Sequence, residues 1–509
     1  MKKKRLLIIG TAQQAYIQDY LAKVDLITTD VHLLVPERDR GAYGPQKVSY
    51  FSGIFHPLFL PLLKVMLTFR PDEAVVVCGM TYDHDNVVKA VSFYSSFKKL
   101  EVKFSVRNNE ELAGKELHPS APKEILKWIG LGTIALLIRV ISPFKKIRVG
   151  EIYSVRLGHL AMDSEIYLSE VDAGYHDNCY DLFCFKDNKV ANRTLANLFC
   201  KQMKVHRLNL YLLDAIRRFN LHAKHEIAMN THIVASGRDA DCVMQLTDNH
   251  IAFSPKQEKA GIENLRDLGL PPKKEHVCIF GRDSVFLSGS DPKKSDADMQ
   301  EVRDMHIRTF KPSVEELLRM DYNVIRMGSA VKEPLEISHP NFLDYATSGK
   351  RTDFMDVYLS AKCKFFVGVQ SGLMHIPMIF RVPCLSVNVV RLEIILFCSP
   401  EDLAIFKLLW SKTEKRILKV PEIIESGMSR WRVEKFANSD IEVIDNTEDE
   451  ILEAVKEMHE RVNGTWQISK EDLELQKKFH SQFKPSYLNS KFVTPISSYF
   501  LRKHEKELF

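Results

Sequence analysis

The sequence contains no Cys-x-x-Cys pair, and its nine cysteines, at 78, 179, 184, 200, 242, 278, 363, 384 and 398, are odd in number and irregular in spacing. That scatter supports neither a disulfide framework nor a zinc site, and it fits a reduced, cytoplasmic setting. Charge of one sign is also lacking. Lys+Arg number 71 against 66 Asp+Glu, a net +5 spread over 509 residues, which gives no reason to expect nucleic acid as a partner. No Gly-x-Gly-x-x-Gly or Gly-x4-Gly-Lys-Ser/Thr stands at a strand-to-helix turn, and no Gly-x-Ser-x-Gly or His-Glu-x-x-His occurs, so the usual dinucleotide, P-loop, α/β-hydrolase and metalloprotease readings lose their main support. His206, His222, His225 and His232 are too irregularly placed for a metal site, and no metal ligand is assigned.

Long apolar runs are missing as well. After Met1-Lys2-Lys3-Lys4-Arg5 the run Leu6 to Ile9 stops at Gly10, too short for an export signal, and reads as a buried first strand. The longest candidate, Trp128 to Ile138, is far shorter than the roughly twenty apolar residues that cross a bilayer. Lys123, Lys127, Arg139, Lys145, Lys146 and Arg148 surround it. Residues 122–148 therefore have two readings: a buried helix linking domains, or a helix lying on the cytoplasmic face of the inner membrane among anionic headgroups.

What is present is the text of an α/β protein. With 45% hydrophobic and 27% charged residues the composition is that of a folded globular chain, and its length suggests about two to four domains. Short apolar runs (Leu6–Ile9, Val31–Val35, Ala74–Cys78, Val102–Val106) alternate with helical text over 1–118, the pattern of a parallel sheet. The alternation resumes at Glu151–Val155 and Tyr180–Phe185, and is most regular at Val277–Phe280, Asn323–Arg326, Phe365–Val369 and Cys384–Val387. Ser313-Val314-Glu315-Glu316 reads as a capping box after Pro312, and Asp353 with Asp356 opens a further helix. The stretch 253–274, ending in Gly269-Leu270-Pro271-Pro272, reads as an interdomain linker. The organisation expected is an N-terminal α/β region (1–118), an amphipathic linking helix (119–148), a first Rossmann-like domain (149–260), a second (261–465) and a C-terminal helical tail (466–509).

Open α/β sheets bind ligands beyond the carboxyl ends of their strands, so the residues just after each strand are the candidates. In Phe366-Val367-Gly368-Val369-Gln370-Ser371-Gly372-Leu373 a strand ends in small polar residues; Ser371 and Gly372 would offer backbone N–H groups to a diphosphate. Arg282 and Arg326, at neighbouring strand ends, would add bidentate phosphate contacts, with Arg303 and Arg308 as weaker candidates. In Arg156-Leu157-Gly158-His159-Leu160-Ala161 the glycine permits a tight turn, and His159 would take a proton from a hydroxyl, its ring oriented by Asp163 and Glu165.

Together, Arg156 to Ala161 with Glu165 and Tyr167-Leu168, Arg282-Asp283-Ser284, Tyr322 to Gly328, Asp344-Tyr345-Ala346, Asp353 to Leu359 and Phe365 to Leu373 resemble, in order as well as wording, a family of bacterial glycosyltransferases of the GT-B type. The similarity covers roughly 149–465; Phe280-Gly281 before Arg282 and Gln370 before Ser371 depart from the usual pattern. The resemblance implies two Rossmann-like domains facing a cleft, an acceptor on the N-terminal side, a nucleotide-sugar on the C-terminal side and no obligatory metal or other cofactor. It makes Arg282, Asp283, Arg308, Arg326, Gly328, Ser371 and Gly372 the donor-binding set and His159 the base or an acceptor-site residue. The expected reaction is sugar transfer from a nucleotide diphosphate sugar to a hydroxyl of a glycan or lipid-linked glycan in surface polysaccharide synthesis. Arg326→Ala would abolish it with the fold intact. A nucleotide-sugar epimerase and a non-catalytic nucleotide-sugar-binding scaffold are the alternatives.

Overall fold

The computed structural model describes residues 4–10, 21, 24, 29–36, 47–51, 69, 73–78, 101–106, 111–112, 121–176, 179–185, 189–219, 221–229, 239, 241–282, 304–329, 331–394, 399–431, 435–436, 438–485 and 492–509. The chain divides into two compact units: Met1–Gly150 with Cys179–Leu182 and Leu208–Ile227, and Glu151–Asn178 with Phe183–Arg207 and Ala228–Phe509.

The first unit is built on Lys4–Gly10 (β1), Thr29–Pro36 (β2), Lys47–Phe51 (β3), Glu73–Cys78 (β4), Glu101–Val106 (β5) and Glu111–Leu112 (β6). Their order is β3-β2-β1-β4-β5-β6, parallel except for the antiparallel β6. Leu7, Ile8, Leu33 and Leu34 are fully buried, as the continuous apolar runs of a sheet covered on both faces require. All four strand-like runs foreseen here are strands; β3 was not foreseen.

In chain order, the strands of the two large sheets are separated by the short strands Ile147–Ile152 (β7), Tyr180–Phe185 (β8) and Glu226–Ile227 (β9). In the first unit, β7 pairs in parallel with β9 through Val149 and Gly150. The expected Rossmann-like domain over 149–260 thus carries only short strands among its described residues, and the large parallel sheet of the N-terminal half lies in 4–112 instead. The strand expected at Glu151–Val155 is shifted back to β7, because the chain turns at Ser154 into a helix.

The second unit's sheet comprises His276–Phe280 (β10), Asn323–Arg326 (β11), Phe342–Asp344 (β12), Phe366–Gly368 (β13), Cys384–Val389 (β14) and Leu403–Phe406 (β15), all parallel in the order β12-β11-β10-β13-β14-β15. Val277, Cys278, Val324, Ile325, Phe366, Val367, Cys384 and Leu385 are wholly inaccessible and form its centre. Leu408–Ser411 (β16), Arg416–Ile417 (β17) and Ile441–Ile444 (β18) add a small antiparallel sheet. Both large sheets have the 3-2-1-4-5-6 strand order of a Rossmann fold, with a topological switch between β1 and β4 in one and between β10 and β13 in the other.

The helices that bear on function are Ala121–Ile141 (α1), Leu157–Asp172 (α2), Arg193–Phe199 (α3), Asn209–Arg218 (α4), Pro255–Asp267 (α5), Lys311–Arg319 (α6), Asp353–Lys362 (α7), His375–Ile379 (α8), Glu448–Val462 (α9) and Lys470–His480 (α10). The stretch read as a linker is α5, opened by a Ser254–Gln257 capping box and closed near Gly269 at φ +82°, and it lies inside the second unit. α6 differs from expectation too. It begins at Lys311, with Pro312 in its first turn where a missing N–H costs nothing, so Ser313 is a buried helical residue and not a cap. α7 opens as expected with Asp353 and Asp356 in its first turn, capped by the Thr352 hydroxyl.

Candidate functional site

α2 carries the Arg156–Ala161 motif at its N-terminus. Arg156 is extended (φ −121°, ψ 129°) and its side chain makes no capping hydrogen bond to the helix, whose first N–H groups have no intrahelical acceptor. The β13 motif leaves its sheet at the switch point: Gly368 pairs with Phe280, and Val369 N–H donates to Phe280 O at 3.3 Å. Thus Gly281-Arg282 and Gln370-Ser371-Gly372 emerge from adjacent strands at the carboxyl edge, where open α/β sheets place ligands.

The two motifs meet through their glycines. A Cβ on Gly158 would stand 2.4 Å from His375 Nδ1 and 3.0 Å from Gly372 Cα, and one on Gly372 would stand 2.9 Å from Gly158 N. Only glycine at both positions allows this backbone-to-backbone approach. The Ser371 hydroxyl, buried at the same turn, has no hydrogen-bond partner among the described residues.

His159 follows directly, with 25% of its side chain exposed. Its Nδ1 lies 3.2 Å from Asp163 Oδ2 one helical turn on, and Tyr153 packs edge-on against its ring at 5.0 Å. A carboxylate that holds Nδ1–H leaves the lone pair on Nε2, which is the arrangement of an oriented general base. Asp163 therefore stands where an orienting carboxylate was expected.

Glu165 is not part of that pair. It projects from another face of α2, fully buried, with Oε1 2.9 Å from Arg381 Nη2 and 3.0 Å from His250 Nδ1. His250 in turn reaches Asp172 through Nε2 at 3.1 Å. The hydrogen bond to Glu165 raises the His250 pKa against the opposing effect of burial. Arg381, at φ +61°, also reaches the Thr247 and Asp248 carbonyls, so this cluster pins α2 to the chain just after α8.

The arginines fall into separate groups. Arg282 Nε lies 3.4 Å from Asp304 Oδ1. Arg326 is 1% exposed and donates through Nη1 to Asp344 Oδ2 at 2.8 Å and to Glu333 O at 2.6 Å. Arg308, with 73% of its side chain exposed, pairs with Glu333 Oε2 at 3.1 Å. Arg326 and Arg308 thus converge on the Glu333 segment, where Gly328 adopts φ +155° and a Cβ would meet Ala346 Cβ at 3.1 Å. Asp283, Ser284 and Arg303 lie outside the described residues. Among the described residues no group of three or more His, Cys, Asp or Glu could hold a metal ion.

His375 and Arg381 were not singled out from sequence. His375 sits inside the Ser371 motif, so its neighbourhood was legible; Arg381 carries no local signal, because its partner Glu165 is distant in the chain.

No family model matches the chain, and no curated protein matches it. Among solved structures, it is similar to the iron-containing dodecameric glycosyltransferase TibC of enterotoxigenic E. coli, at 12% identity and TM-score 0.28, over 50% of this chain and 61% of that one. The match thus spans about three fifths of TibC. It is also similar to a family 9 glycosyl transferase of Veillonella parvula (11% identity, TM-score 0.23, 86% and 97% covered) and to the UDP-GlcNAc 2-epimerase of Neisseria meningitidis (14%, TM-score 0.20, 91% and 100%). These are distant likenesses, each with a TM-score below 0.5.

Proposed function

We propose that the chain is a glycosyltransferase of the GT-B type that moves a sugar from a nucleotide diphosphate sugar to a hydroxyl of a glycan or lipid-linked glycan. The observation that carries this reading is the meeting of the Gly158 and Gly372 turns at the switch edge of the β10–β13 sheet, beside the His159–Asp163 pair. In the proposed reaction the acceptor oxygen bonds to the anomeric carbon as the bond from that carbon to the diphosphate oxygen breaks. His159 Nε2 takes the acceptor's proton. The charge on the departing diphosphate is met by the N–H groups of the Ser371–Gly372 turn, the uncapped start of α2 and Arg282. Arg326, Arg308 and Gly328 shape the segment around Glu333 at the other side of the same sheet edge, Arg326 as a positioning residue.

A thermal-shift screen of nucleotide sugars tests the binding half, since a ligand that binds only the native state raises its melting temperature. The matched donor is then offered with a panel of glycan acceptors. His159→Ala should keep the donor-induced shift and lose about 10²- to 10⁴-fold in turnover, and Asp163→Asn should lose less. Full turnover in His159→Ala would remove the base assignment. A product formed from donor alone, without acceptor, would replace transfer by epimerisation.

A further inference from the structure

Helix α1 is apolar on two faces, and among the described residues only one of them is packed. Leu131 and Ala135 are buried and pack with Ala215 of α4, flanked by Ile134, Phe219 and Leu221, and Ile138 is buried as well. At about 100° per residue, Ile129, Gly130, Thr133, Leu136, Leu137, Val140 and Ile141 fall on a continuous opposite arc of roughly 140°. Ile129 is 64% exposed, Leu136 61% and Val140 58%; Phe144, just beyond the helix, is 88% exposed. The one hydroxyl on this arc, Thr133, donates back to Ile129 O at 3.0 Å, so the face presents no unsatisfied side-chain polar group.

The borders of the arc are cationic. Lys127 and Arg139 stand on its two flanks, each near an acceptor of α4 or its C-terminus: Asp214 Oδ2 at 3.6 Å and Phe219 O at 3.4 Å. Lys145 and Lys146 follow, then Arg148, which is paired with Asp181 through Nε at 2.8 Å and Nη2 at 2.7 Å, and no acidic residue occurs between Glu124 and Glu151 in the sequence. Tyr180, an exposed residue, donates its backbone N–H to Lys146 O at 2.8 Å. No helix among the described residues is long and apolar enough to cross a membrane, and the face of α1 packed on α4 rules out lipid on all sides.

We propose that the exposed face of α1 docks flat on an anionic lipid bilayer, with Ile129, Leu136, Leu137, Val140 and Phe144 entering the acyl boundary and the flanking cations lying among the headgroups. A wide apolar arc with cations at its borders is the make-up of a helix that lies in a membrane interface. The inference rests on α1 and the residues that follow it and is independent of the transfer reaction.

Full-length protein is sedimented with phosphatidylcholine vesicles and with vesicles in which part of that lipid is phosphatidylglycerol. Binding is expected to the anionic vesicles and to weaken with added salt. Leu136→Glu with Val140→Glu, both exposed positions, should lower the partition roughly tenfold or more, with an unchanged melting temperature and an unchanged nucleotide-sugar shift. A second pair, Lys145→Glu with Lys146→Glu, should lower binding to anionic vesicles only. Wild-type protein left in the supernatant with anionic vesicles would overturn the proposal, as would undiminished binding by the Leu136→Glu/Val140→Glu protein. A wild-type dimer made monomeric by the same two substitutions would assign the face to a second copy instead.

Discussion

Arg326 shows how a charge placed by sequence at a strand end can be spent inward. With 1% of its side chain accessible, it stitches β11 to β12 through Asp344 and holds the intervening segment by the Glu333 carbonyl, while Asp344 also accepts Leu335 N–H at 2.8 Å. Removing one member of such a pair strands the other charge, so Arg326→Ala should cost about 3–5 kcal/mol, read from urea unfolding. The expectation that this substitution spares the fold is corrected by that burial. Glu165 has the same lesson: Arg381→Ala leaves its fully buried carboxylate with His250 as the remaining partner, and a loss of similar size is expected there. Asp402 is different in sign. It accepts Cys384 N–H at 2.8 Å, but burial pushes its pKa from 3.8 up to about 8, so the folded chain keeps a proton that the unfolded chain gives up near pH 4. Its contribution to stability is therefore full below about pH 4 and lost progressively up to about pH 8. Melting temperature should fall as pH rises through this window, and Asp402→Asn should flatten the fall.

At the scale of elements, the close approach of α2 and the Ser371 turn is the feature most exposed to test. Gly372→Ala places a Cβ against the backbone nitrogen of Gly158, which cannot swing aside as a side-chain tip would. A loss of about 1–3 kcal/mol in urea, together with a weakened nucleotide-sugar shift, is expected. Both motifs were legible because each combines a strand end with a glycine and a small polar residue or histidine. Their meeting was not, since nothing local in Gly158 names Gly372 as its neighbour. The elements read best were those whose apolar run is fully buried, such as Val277–Ile279, where composition and burial agree. Those missed are short or mixed: β12 has three half-buried residues, and β3, Lys47-Val48-Ser49-Tyr50-Phe51, alternates without an unbroken apolar run. The Ser313 cap failed for a specific reason. The 3-10 turn Ile307–Phe310 runs directly into α6, so the helix needs no polar residue to start it.

At the scale of the whole chain, the α/β class and the second parallel sheet could be read from the alternation of runs, but the assignment of segments to units could not. Periodicity reports which residues are covered, not by what. Residues 151–207 hold helices α2 and α3, and the structure gives most of this segment to the second unit, where Asn192 Nδ2 donates to Asp353 O at 2.8 Å and the Arg193 N–H reaches Asp353 Oδ2 at 3.1 Å. Asn192→Ala should therefore destabilise the second unit, by the typical cost of about 1 kcal/mol for a lost helix cap plus that of the tie to Asp353. Urea unfolding monitored by far-ultraviolet circular dichroism would check it.

The first unit takes Cys179–Leu182 and Leu208–Ile227 from well beyond its main stretch, and the second is threaded between them. This has a consequence for how the molecule is made. A ribosome that has released the first 150 residues has released Leu131 and Ala135 without the helix that covers them, because Ala215 is still to be synthesised. The earlier unit cannot finish folding until the later one is well under way, so a nascent chain arrested just as residue 150 has emerged should bind chaperones through that bare stripe, and one arrested far enough past 227 for that residue to have emerged should not.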